Sequence, residues 1–98
     1  MHNKTFYQDD ITHGGEHYRV TAEQLTGCYR VTIGTIEGDK HIRGFCAYSD
    51  RITCLHYEAI MAGLESYPLD VRFAARAGIA LLQIAALRLE LGMADADQ

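Results

Sequence analysis

Two histidines four apart, His13 and His17, bracket Glu16 in the stretch THGGEHYRV. Histidines at that spacing hold a metal when a helix places both rings on one face, as in HExxH. Here Gly14 and Gly15 separate them, the order is not HExxH, and paired glycines disfavour helix. The stretch reads instead as a glycine turn that enters a strand beginning with His17, Tyr18 and Val20. A metal site would have to recruit His41 from another strand. No GxSxG nucleophile elbow accompanies the HGG tripeptide, and no Lys-Ser/Thr follows the glycines, so neither a hydrolase nor a phosphate loop is indicated.

The three cysteines, Cys28, Cys46 and Cys54, are odd in number and form no CxxC pair. That excludes a disulfide scaffold and a classical zinc knuckle, and reduced thiols are expected. Cys54 and His56 are two apart, so on a helix they diverge. A Cys–His nucleophile pair assembled in three dimensions from His13, His17 or His41 stays open. Glu16, Glu23, Glu58 and Glu65 show no pairing that would suit general acid–base chemistry. No cofactor motif is present.

What positions these residues is a chain of two halves. Residues 16–48 are rich in Tyr, Val, Ile and Thr with glycine turns; residues 52–92 are rich in Ala and Leu. Three antiparallel strands fit, at 16–25, 28–36 and 41–48, joined at Thr26–Gly27 and Gly38–Asp39. A short further strand over 5–12 is compatible with the pattern. Taking both turns literally pairs Glu23 with Arg30, Thr21 with Thr32, Arg19 with Gly34, Gly34 with Arg43, Thr32 with Phe45 and Tyr29 with Tyr48. One face then gathers Tyr18, Val20, Ala22, Tyr29, Val31, Ile33, Ile42, Cys46 and Tyr48 as core. The other gathers His17, Arg19, Thr21, Glu23, Arg30, Thr32, His41, Arg43 and Phe45. A slip of one residue at either turn would reverse a strand.

Pro68 divides the helical half. Upstream, Leu55, Ala59, Ala62 and Gly63 mark one face, with Ser49, Asp50 or Thr53 as caps. Downstream, Asp70 caps a helix that runs to about Leu91 and stops at Gly92. In it Arg72, Arg76, Gln83 and Glu90 form a narrow polar stripe, and nearly everything else is apolar. Such a helix is buried on more than one side. With Ile79, Leu82 and Leu89 on different sides, a homodimer through this helix is expected.

The surface constellation with binding potential is Arg19, Arg30 and Arg43 on three adjacent strands, with His17, His41 and Phe45 among them. Arginine forks recognise carboxylates and phosphates, and an exposed aromatic supplies an anchor. The plain alternative is a solvated face in which Glu23 pairs with Arg30. A net charge of −4 argues against broad, charge-driven nucleic-acid binding. Single-stranded nucleic acid on the arginines with Phe45 stacking remains an alternative. Asp9–Asp10 and Asp95 with Asp97 read as solvated acidic ends.

The expected fold is therefore α+β: one domain over 1–98, with a three-stranded antiparallel meander, two C-terminal helices on one face and an acidic tail at 93–98. The N-terminus has no apolar stretch of the signal-peptide kind, and the longest uncharged run in the C-terminal half, 77–87, is too short to span a bilayer. A cytoplasmic protein without membrane association is expected. In type (98 residues, acidic, one sheet-plus-helix domain, no catalytic motif) the chain resembles the small phage- or mobile-element-encoded inhibitor proteins, including the anti-CRISPR proteins. The resemblance rests on no motif and carries no residue role. It implies a non-enzymatic protein that binds a bacterial CRISPR effector complex and blocks target-DNA binding or nuclease recruitment. A nucleic-acid-binding module and a small enzyme or metalloprotein using His17, His41 and a cysteine are the competing classes.

Overall fold

The structure, a computed structural model, describes residues 3–92. Four strands come first: β1 (Lys4–His13), β2 (Glu16–Leu25), β3 (Cys28–Glu37) and β4 (Lys40–Ser49). Then follow α1 (Ile52–Ala62), a 3-10 turn at Leu64–Ser66 and α2 (Leu69–Glu90). The strands form one antiparallel meander in the order β1-β2-β3-β4. The α+β class is as expected, but the sheet has four strands, not three. The fourth strand, which the pattern allowed as a short one over 5–12, is KTFYQDDITH, a full ten residues long. Its Asp9 and Asp10 belong to a type strands disfavour, and they are tolerated because β1 lies at the sheet edge. The opening HGG motif is its hairpin turn: Gly14 (φ 60°) and Gly15 (φ 81°) both adopt positive φ, which a two-residue turn matching strand twist requires.

The β2–β3 register is the one the Thr26–Gly27 turn dictates, with Leu25 opposite Cys28, Glu23 opposite Arg30 and Arg19 opposite Gly34. The β3–β4 hairpin also starts as expected, with Glu37 opposite Lys40. It then departs: Ile36 pairs with His41 and Thr35 with Arg43, leaving Ile42 as an extra residue in a β-bulge. Beyond it every β4 residue is shifted by one, so Thr32 faces Cys46 and Ile33 faces Phe45. Because side chains alternate with period two, the shift exchanges the two faces of the strand. Ala47 is buried (4% exposed), whereas Ile42 (51%) and Tyr48 (50%) are open to solvent. Cys46 is exposed as well. The expected core placement of Ile42, Cys46 and Tyr48 is thus reversed, while Arg43 and Phe45 move to the helix side of the sheet, where Phe45 is partly buried and Arg43 stays exposed.

Both helices cover the same face, α2 over β1 and β2 and α1 over β3 and β4. Val20, Ala22, Val31, Ile33 and Ala47 from the sheet meet Leu55, Ala59, Leu64, Val71, Ala75, Ile79 and Leu82. Each fully buried Val, Leu or Ile contributes roughly 1.5–3 kcal/mol. α2 approaches closely because Gly78 faces the sheet: a Cβ there would lie 3.0 Å from Ala22 Cβ and from the Tyr7 ring. Tyr67, in the link between the helices, packs edge-on against Tyr18 and Phe45, with ring centroids 6.0 and 5.8 Å apart.

The helix ends follow the sequence in part. α1 has Arg51 at its N-cap with no side-chain cap, while Ser49 Oγ accepts a hydrogen bond from the Arg51 N–H at 3.1 Å. Pro68, not Asp70, is the N-cap of α2; Asp70 sits in the first turn, where Oδ1 accepts from the Val71 N–H at 3.0 Å. Past the last turn, Gly92 takes a left-handed φ of 71°. The expected acidic tail at 93–98, with Asp95 and Asp97, lies outside the described residues.

The bulged register makes a direct prediction for urea denaturation. Ala47→Asp should lower stability by more than about 2 kcal/mol, because it buries a carboxylate without a partner. Cys46→Asp, one residue earlier, should stay within about 0.5 kcal/mol of wild type. The unbulged register requires the opposite order.

Candidate functional site

The helix-free face of the sheet is built as rows of side chains running across the strands. One row runs Thr5, Glu23, Arg30, Tyr48; the next Gln8, Thr21, Thr32, Cys46; the third Asp10, Arg19, Gly34, Gly44. His17, opposite Thr12, and His41, opposite Ile36, lie beyond the third row toward the hairpin turns.

Of the six expected site residues, four share this face: His17, Arg19, Arg30 and His41. Arg43 and Phe45 do not. Arg43 pairs with Thr35, and Phe45 packs on Tyr67 against the hydrophobic core. The bulge at Ile42 is the reason. The Tyr67 hydroxyl pKa is raised by burial, with Tyr18 adding to the rise and Arg43 partly offsetting it.

The two remaining arginines are already engaged. Arg19 holds Asp10 through two parallel bonds, Nε to Oδ1 at 2.8 Å and Nη2 to Oδ2 at 2.9 Å, and Nη2 also reaches Asp39 Oδ1 at 3.4 Å. The pairing lowers the Asp10 pKa, chiefly through the Arg19 hydrogen bond, and raises that of Arg19 through the bond to Asp10. Arg30 donates from Nε to Glu23 Oε1 at 2.8 Å and lies 5.8 Å from the centroid of the Tyr48 ring. Its pKa is also raised, first by the bond to Glu23 and then by Tyr48. Asp10 therefore belongs to a fixed cross-strand fork rather than to a solvated acidic end. Its neighbour Asp9 accepts a 3.2 Å hydrogen bond from the Tyr7 hydroxyl.

Between these ion pairs the third row has no side chains on β3 and β4. A Cβ built on Gly34 would collide with the Arg43 carbonyl oxygen, and one on Gly44 with the Ile33 carbonyl oxygen. Gly44 also takes a φ of 155°. Gly44 lies in the floor of a shallow, open depression of about 600 Å³. Arg19, Thr21, Thr32, His41, Ile42 and Cys46 are among the residues around it. The Thr32 hydroxyl and the Cys46 thiol are hydrogen-bonded at 3.4 Å. The glycine pair was not recognised in the sequence, although a glycine inside a strand is a known sign of close backbone approach.

The histidines are dispersed. His13 faces the helix side and meets Asp70 Oδ2 at 3.4 Å, while His17 Nδ1 is hydrogen-bonded to Thr12 Oγ1 at 3.0 Å. Among the described residues, no three His, Cys, Asp or Glu side chains converge as metal ligands do. No helix among them is long and apolar enough to cross a membrane. Comparison with protein-family models, with curated proteins and with solved structures gave no match.

Two outcomes test this geometry. The Asp10 carboxylate, followed by carbon-detected NMR, should titrate with a midpoint below its ordinary 3.8. Because the folded pKa is the depressed one, the pair's stabilisation is complete above that ordinary value and fades as pH falls through the lower one. Arg19→Gln should return the midpoint toward the ordinary value. Gly34→Ala should cost about 1–3 kcal/mol in chemical denaturation, the range of core overpacking.

Proposed function

We propose that the chain is a non-enzymatic protein-binding inhibitor whose contact surface is the helix-free sheet face. The single observation behind this reading is the broad, shallow depression at Gly44, lined by exposed Ile42 and Cys46. Enclosed clefts suit small molecules. An open sheet face with a side-chain-sized recess suits a large anchoring residue from a protein partner, with fixed ion pairs around it as a polar rim. Arg19 and Arg30 then serve less as free phosphate forks than as preordered partners whose remaining donors meet polar groups on the target.

The same features weigh against single-stranded nucleic acid on this face. Phe45, the aromatic on which a base would stack, packs on the opposite side. Both outer arginines already hold carboxylates. The resemblance in type to anti-CRISPR proteins supplies the target class: a CRISPR effector complex in the cytoplasm of a bacterial host, blocked from DNA or from its nuclease.

Pull-down of tagged protein from a lysate with an active CRISPR system should recover effector subunits in stoichiometric amount. Cys46→Trp, which obstructs the depression with an indole, should reduce that recovery at least tenfold. Tyr57→Ser, on the helix side, should leave it unchanged. Recovery indifferent to Cys46→Trp removes the face from the reading, and an empty bait across effector types removes the inhibitor function itself.

A further inference from the structure

α2 carries two apolar seams. One, containing Val71, Ala75, Gly78 and Leu82, is buried on the sheet. The other runs along the solvent side: Phe73, Ala77, Ala80, Ile84 and Leu87, then Leu91 at the C-cap. Its spacing alternates strictly between four and three residues, the repeat by which helices pair side by side. All six positions are exposed, and the large ones are Phe73 (56%), Ile84 (51%), Leu87 (54%) and Leu91 (67%). A continuous stripe of this kind over most of a 22-residue helix marks an interaction surface rather than scattered surface hydrophobics.

We propose that this seam is occupied by α2 of a second copy of the chain, in an antiparallel two-fold pair. Two features of the helix select that occupant. The first is size. Antiparallel pairing about the level of Leu82 sets Phe73 against Leu91 of the second copy, Ala77 against its Leu87 and Ala80 against its Ile84. At the inner levels small residues meet large ones, with Phe73 against Leu91 at the outer ends, so the two ridges interdigitate. The second is charge. The residues flanking the seam on one side are Arg76, Gln83 and Glu90. In the antiparallel register Arg76 lies beside Glu90 of the second copy, Gln83 beside Gln83, and Glu90 beside Arg76. The two-fold axis makes each ion pair occur twice. A parallel pair would instead place Arg76 beside Leu81 and leave Glu90 without a basic partner.

The pairing uses the side of α2 turned away from the sheet. It therefore leaves both helix-free sheet faces open, and the dimer presents two of them. The inference does not depend on what those faces bind.

Light scattering after size exclusion at tens of micromolar should give twice the 11.0 kDa chain mass. Ile84→Glu should shift the protein to monomer with its circular dichroism unchanged. Arg76→Glu and Glu90→Arg should each weaken the dimer at least tenfold, and combining them should restore it. A monomeric wild type overturns the proposal, as does a dimer indifferent to Ile84→Glu. A charge-swapped double variant that stays monomeric overturns the antiparallel register.

Discussion

The burial of Val20, Ala22, Val31 and Ile33 beneath the small-residue side of α2 is the constraint on which the other features rest. These side chains alternate along the two central strands, so only one face of the sheet can be apolar. A single layer of two helices covers it. Ala74, Ala75 and Gly78 let α2 lie close to β1 and β2. α1 is then left to cover β3 and β4, and β4 contributes little to the core: Ala47 buried and Phe45 in part. The link at Tyr67 fastens this second half by edge-on contact with Tyr18 and Phe45.

Once the inner face is fixed, the outer one is what remains, and its character follows from pairing. Cross-strand neighbours of opposite charge satisfy each other, Asp10 with Arg19 and Glu23 with Arg30. The arginines are thereby ordered and their forks directed along the sheet. Where β3 and β4 approach too closely for any Cβ, glycine is required on both, and the surface sinks. The opposite side of the molecule differs. There α2 turns a regular apolar seam to solvent.

Much of the fold could be read from the residues. Three turn dipeptides, Gly14–Gly15, Thr26–Gly27 and Gly38–Asp39, mark the three hairpins. The alternation of Tyr18, Val20 and Ala22 with Arg19, Thr21 and Glu23 marks a half-buried strand. The long apolar run after Pro68 marks α2. The candidate site was legible in its β2 and β3 parts and, on β4, as far as His41. Arg19, Arg30 and the Glu23–Arg30 pair stand where the turn register puts them, while Arg43 and Phe45 went to the wrong face together. Both errors have one source, the extra residue at Ile42.

The sequence alone determined what depends on neighbours a few residues apart: turn type, strand alternation and helix extent follow from local backbone preference and periodicity. Tertiary structure decided the rest. A bulge in β4 is not favoured by HIRGF itself. It follows from seating Ala47 and Phe45 against α1 and Tyr67 while Gly34 and Gly44 come face to face. The local pattern allowed a short strand over 5–12; the full ten residues of β1 follow from the ladder that β2 offers and from Arg19 as the partner of Asp10.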